Sequence, residues 1–295
     1  MKKLVIFVIG LALSACGTSS VASGSAGPTS TTLPHVGGVV RVAYAGSLVG
    51  AMVNEIAPAF QSASGVRFEG LPGGSTALVN QIKSGTEPFD VFISASPQAN
   101  DALMGAANGN YASWYAALGT SPLVIGYNPS SHFAKALLRG PWYQVMAEPG
   151  FALGRTDPAL DPKGALVIKL LEQQAQQVHD PKLVQDVLGG SENPSQVFPE
   201  ETLVARLQTG QLDAGFFYAN EARQAKIPTI PTGIDLGASF TVTVLAGAKD
   251  ISQAVAFVNF LYSPAGSKIL RYVGVEPSRP IVTGSSAKIP KGVKL

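Results

Sequence analysis

The chain has 295 residues, 46% hydrophobic and 14% charged, enough for two lobes of ordinary domain size around well-filled cores. Its formal charge is +2, and Lys2 and Lys3 account for that excess, so no electrostatic argument favours nucleic acid or a polybasic membrane contact. A single cysteine excludes an internal disulfide and cysteine-rich zinc binding, and three histidines (His35, His132 and His179) leave little for a histidine metal site.

The N-terminus reads Met1-Lys2-Lys3, then an apolar run from Leu4 to Ala12, then Leu13-Ser14-Ala15-Cys16. Two lysines, a short apolar stretch and a small-residue cleavage site predict a secretory signal peptide over residues 1–15, and the run is too short to span a bilayer comfortably. With the only cysteine at the cut, the expectation is a lipoprotein, lipidated at Cys16 and held outside the cytoplasm by that anchor. Residues 16–38 then form the lipidated cysteine and a flexible linker rich in Ser, Thr, Gly and Pro.

From Gly38 the pattern alternates. Strands are expected at Val39–Tyr44, Val66–Gly70 and Asp90–Ser94, with helices at Leu48–Phe60 and Thr76–Ser84 between them. Leu123–Tyr127 reads as a strand leaving the first lobe. A second unit follows, with Phe151–Gly154, a helix from about Lys163 to Val178, and the strand Ala214–Tyr218. Phe240–Leu245 returns to the first lobe, and a helix from Ile251 to Leu261 follows it. Strands alternating with helices argue an α/β fold, each lobe a mainly parallel sheet flanked by helices. The expected division is lobe 1 at 39–122 and 240–295 and lobe 2 at 123–239, with a ligand cleft and a hinge between them.

Four loop-to-helix junctions carry glycine, hydroxyl or carboxylate groups. Ser47 follows Gly46, Ser75 follows Gly74, Asp161-Pro162-Lys163-Gly164 opens a helix, and Pro199-Glu200-Glu201-Thr202 opens another. Exposed N–H groups at helix starts attract anions, so converging ends would cradle an oxyanion without arginine. Each junction alone is also explained by ordinary capping. Trp114, Tyr115, Trp142 and Tyr143 are expected in packing rather than ligand stacking.

In order and spacing, several segments resemble the molybdate/tungstate-binding proteins of ABC importers, tungstate/molybdate branch. These are Ala45-Gly46-Ser47-Leu48, Gly74-Ser75-Thr76, Asp90–Ala95, Trp114-Tyr115, Leu123–Tyr127, Trp142-Tyr143, Asp161–Gly164 and Glu200–Tyr218. The resemblance runs from about Val39 to Ile281 and implies a type II periplasmic-binding-protein fold. It implies ligand contacts from Gly46, Ser47, Ser75, Pro162, Lys163 (by its backbone N–H) and Tyr218. It further implies that Asp161 and Glu200 ligate the Mo or W of the oxyanion directly. Glu201 is the alternative to Glu200 as the inward-pointing residue.

Carboxylates beside a dianion make sense only for a metal oxyanion. Mo(VI) and W(VI) accept extra oxygen ligands and sulfur in sulfate does not, so the pair would discriminate against sulfate. The resemblance therefore implies a non-enzymatic, monomeric receptor with no cofactor. It would carry molybdate or tungstate to an ABC permease and its ATPase subunit. A receptor for sulfate, phosphate or another small oxyanion is the alternative. A secreted hydrolase using Ser47 or Ser75 is more distant, since no histidine stands near either serine in the pattern.

Overall fold

The computed structural model describes residues 37–295; the expected signal peptide, Cys16 and the linker up to residue 36 lie outside the described residues. Eight strands frame the site. They are β1 (Val39–Ala45), β2 (Arg67–Gly73), β3 (Val91–Ser94), β4 (Trp114–Tyr127), β5 (Leu153–Gly154), β6 (Ala214–Tyr218), β7 (Thr229–Pro231) and β8 (Gly237–Val244). Their order is β2-β1-β3-β8-β4-β6-β5, with β7 beside β4. β1 and β3 are rich in β-branched and aromatic residues and almost wholly buried, as strands covered on both faces are.

The sheet is parallel at its two ends, β2-β1-β3 and β5-β6, and antiparallel where β8 and β4 cross between them. It is therefore more mixed than the mainly parallel expectation. The reason is topological: one strand leaves the first part and another returns, so the two run in opposite directions. β4 is also longer than the segment read from sequence. Its residues Ala116–Pro122 pair with β8 and Leu123–Tyr127 pair with β6, so one continuous strand serves both parts of the sheet. Trp114 and Tyr115 begin this strand and are buried, as is Trp142, whose indole N–H donates to the Thr232 carbonyl at 3.0 Å.

The helix expected over Leu48–Phe60 is broken. A 3-10 turn (Gly46–Leu48) and one α-turn (Val49–Ala51) precede a π-helical segment (Met52–Ile56) and the α-helix Ala57–Ser64. Pro58 lacks the N–H that an unbroken helix needs, and the wider π turn takes up the mismatch. Elsewhere buried polar groups tie the elements together. Asp90 accepts from the backbone N–H of Arg41 (2.8 Å), Lys249 (2.9 Å) and Asp250 (3.2 Å), joining β1 to the start of the helix Ile251–Tyr262. Among the described residues no helix is long and apolar enough to cross a membrane.

Candidate functional site

Asp161 precedes the helix Pro162–Val178 in extended conformation, and its Oδ1 accepts the Lys163 backbone N–H at 2.7 Å. Pro162 fits the first helical position, where no N–H is required. Capping places Lys163 at the base of the first turn, and its long side chain runs inward rather than to solvent, 1% exposed. Its ammonium lies 2.8 Å from Glu221 Oε2 and 3.0 Å from Glu200 Oε1. Glu200 Oε2 is as near, at 2.9 Å, an ion-pair contact, and has no hydrogen-bond partner among the described residues. The ammonium also stands 5.4 and 5.6 Å from the ring centres of Phe217 and Tyr218. Tyr218 Oη is buried and likewise has no hydrogen-bond partner among the described residues.

Burial pushes the Glu200 carboxyl well above the usual range; Lys163 pulls it back, while the charges of Glu221 and Asp161 push it further up. Asp161 and Glu221 are raised for the same first reason. Lys163 loses solvation too, but attraction to Glu200, Glu221 and Asp161 outweighs that and holds it firmly as an ammonium ion. Burial and the same three acidic neighbours raise Tyr218, which stays a phenol donor.

The first part of the sheet supplies uncharged groups. Gly46 presses on Glu200, where a Cβ would collide with Glu200 Cγ, and Gly74 presses on the Leu160 carbonyl and on Asp161. The helix Ser75–Ser84 reaches across as well, donating the Ala77 N–H to Leu160 O at 3.0 Å. Ser75 is fully buried, and its Oγ accepts the Ala95 N–H at 3.0 Å, which leaves its own O–H to donate. Ser47 is buried, and its carbonyl accepts from Asn220 Nδ2 at 2.8 Å.

Gly46, Ser47, Asp161, Lys163, Glu200 and Tyr218 thus fall in one linked region, with Ser75 beside Gly74 at its edge. Glu200 rather than Glu201 is the inward residue; Glu201 is exposed. The Lys163 backbone N–H is engaged by Asp161, and its ammonium meets Glu200 and Glu221. Pro162 lines a neighbouring groove of about 900 Å³ with Thr76, Ser96, Pro158, Ala165 and Lys169, a groove that none of the buried charged groups lines.

Two partners escaped the sequence reading. Glu221 and Asn220 stand just past Tyr218, in the first turn of the short helix Ala219–Gln224. A glutamate three residues beyond a strand end is a helix-start signal: Glu221 Oε2 accepts the Tyr218 N–H at 3.3 Å. The Asn220 backbone N–H donates to Ser121 Oγ in the crossing strand at 3.0 Å.

An α/β fold with two strands crossing between its parts is the fold of the periplasmic binding proteins. The chain belongs to the bacterial extracellular solute-binding protein family, whose sequence signature matches residues 40–276. That family places it outside the cytoplasm, in solute transport. A Haloferax volcanii protein, named provisionally as an ABC transporter molybdenum-binding protein, is 29% identical over 67% of this chain and 61% of its own length. The chain thus spans less than two thirds of that relative. The molybdate/tungstate-binding protein of Pyrococcus abyssi is 25% identical over 70% of this chain and 73% of its own. Two solved structures share the fold. The Azotobacter vinelandii periplasmic molybdate-binding protein has a TM-score of 0.61 at 18% identity, covering 81% of this chain and all (100%) of its own. The sulfate-binding protein of Mycobacterium tuberculosis has 0.63 at 17%, covering 82% and 87%.

Proposed function

We propose that this protein is a non-enzymatic, monomeric receptor that captures molybdate or tungstate in the buried cluster and delivers it to an ABC permease and its ATPase subunit. The observation that carries the reading is a buried acidic cluster in which Tyr218 Oη, a donor, has no hydrogen-bond partner and Glu200 Oε2 has only its ion-pair contact with Lys163. Buried polar atoms are nearly always satisfied, so a phenol left over beside carboxylate oxygens points to a ligand that serves both. A metal oxyanion does so, its Mo or W taking the carboxylate oxygen and its own oxygens taking the phenol.

The rest of the donor set fits. Ser75 has a free O–H, Asp161 supplies a second hard oxygen, and hard oxygen donors suit hexavalent Mo and W. Charge-assisted hydrogen bonds contribute roughly 1.5–3 kcal/mol each, and micromolar to nanomolar binding needs about 8–12 kcal/mol net. Division into lobes at 39–122 with 240–295 and at 123–239 would make β4 and β8 the hinge strands. Lipidation at Cys16 would tether the receptor to the membrane, with residues 16–38 as the tether.

Calorimetric titration of the purified chain with tungstate, molybdate, sulfate and phosphate tests the reading. The first two should bind tightly with sulfate silent. Tight sulfate or phosphate binding with no response to tungstate would refute the metal-oxyanion assignment.

A further inference from the structure

We propose that Lys163, clamped by Glu221, is a positioning residue that fixes the Glu200 carboxylate where it meets the bound oxyanion; this rests on the receptor reading above. The geometry is a relay. The Tyr218 N–H holds Glu221 Oε2 (3.3 Å), Glu221 holds the Lys163 ammonium (2.8 Å), and Lys163 holds Glu200 Oε1 (3.0 Å). At its other end Lys163 donates its backbone N–H to Asp161 (2.7 Å), so one residue is tied to both carboxylates assigned to the metal and sets their mutual placement.

A structural role alone accounts poorly for this arrangement. Apolar residues of similar volume often replace a buried ion pair with no loss of stability, so stability does not explain four buried charges in one place. The ammonium stands 3.0 Å from Glu200 Oε1 and 2.9 Å from Oε2, so one group holds the whole carboxylate, in a side chain 2% exposed. The ammonium also offsets one negative charge where three carboxylates (Asp161, Glu200, Glu221) would otherwise meet a dianion. Glu221 and the rings of Phe217 and Tyr218 remove the rotamer freedom that a lysine would otherwise keep.

The test uses the purified full chain and the variants Lys163→Met, Lys163→Arg and Glu221→Gln. Tungstate and sulfate affinities are measured by calorimetry, and oxygen coordination by X-ray absorption at the molybdenum edge after loading with molybdate. The wild-type chain should show more than four oxygens around the metal. Lys163→Met should lose about 10–100-fold in tungstate affinity, as removal of groups that orient metal ligands does. Its coordination should fall to the four oxygens of free molybdate. Lys163→Arg should recover most of the loss because its planar cation can still grip both glutamates, and Glu221→Gln should lose about 10-fold.

A folded Lys163→Met with wild-type affinity and coordination would overturn the proposal. If that variant does not fold, unchanged affinity and coordination in Glu221→Gln overturn it instead. A wild-type chain that binds molybdate with four oxygens only keeps the receptor reading and overturns the positioning role. A wild-type chain that binds neither metal oxyanion overturns both.

Discussion

The two parts of the sheet bring opposite chemistry to the same place. The first contributes Gly46, Ser47 and Ser75, all neutral, two of them held by backbone hydrogen bonds. The second contributes Asp161, Lys163, Glu200, Tyr218 and Glu221, a dense set of buried charge with a phenol beside it. Neutral donors at helix starts stabilise any small anion, whatever its central atom. Carboxylates penalise every anion except one whose central atom accepts their oxygens. On the proposed receptor reading, selectivity would reside in the second part, against which the glycines of the first fit at Glu200 and Asp161 without a Cβ.

The sharpest way to break the charged side is Lys163→Met. It leaves three buried carboxylates without their cation, and breaking a buried pair from one side costs about 3–5 kcal/mol. Denaturant unfolding of the ligand-free chain should show a loss of that size; a change within error would mean that the cluster reorganises or takes on protons without strain. The matching break on the neutral side is Ser75→Ala. It deprives the buried Ala95 N–H of its acceptor, for a loss of about 1–3 kcal/mol in the same assay. Ligand affinity should fall as well, because the free O–H goes with it. Stability lost with affinity intact would restrict Ser75 to a structural part.

The same contrast explains what was legible in the sequence. Helix-start junctions are local: glycine before serine marks a helix start, and Asp161 before Pro162 marks a capped one, so both could be read from a few residues. The strands followed from runs such as Val39–Tyr44. The charged network is not local. Lys163 meets Glu200 and Glu221 across 37 and 58 residues, and no short pattern announces such a pairing. The resemblance implies a backbone contact at Lys163, and lysine is usually exposed, so nothing local points to its ammonium. Glu221 carried a readable signal, a glutamate at the start of the helix after Tyr218, but it indicates a cap and not a partner for a distant lysine. The full length of β4 was hidden for a related reason. A register shift between Ala117 and Gly119 and Pro122 beyond it interrupt the local strand pattern, and the strand is defined by partners far along the chain.

Acidity separates the two sides further. Raised carboxyl values in Asp161, Glu200 and Glu221 mean that the folded chain holds protons more tightly than the unfolded one. Their contribution to stability is complete below the ordinary carboxylate value of about 4.3 and is lost as pH rises through the folded-state values. Lys163, raised in the same sense, keeps its contribution through neutral pH and loses it only in strong alkali. The ligand-free protein should therefore be less stable at about pH 8 than at pH 5. Glu200→Gln should flatten that slope and cost less stability at neutral pH than Lys163→Met, since Lys163 keeps Glu221 as its partner. Tungstate binding should weaken in the same variant. A slope that survives Glu200→Gln would assign it to carboxyls outside the cluster.

The smallest effect discriminates best between capping and ligand binding at Asp161. Its Oδ1 accepts the Lys163 N–H, and asparagine retains an oxygen there and caps helices about as well as aspartate. Asp161→Asn should therefore change stability by only a few tenths of a kcal/mol, whereas Asp161→Ala should lose about 1 kcal/mol with the cap. Affinity should not follow that order. Both variants remove the negative oxygen, so both should lose preference for tungstate over sulfate to a similar degree. If Asp161→Asn keeps that preference while Asp161→Ala loses stability, Asp161 is a cap alone, and selectivity contracts to Glu200 and the lysine that holds it.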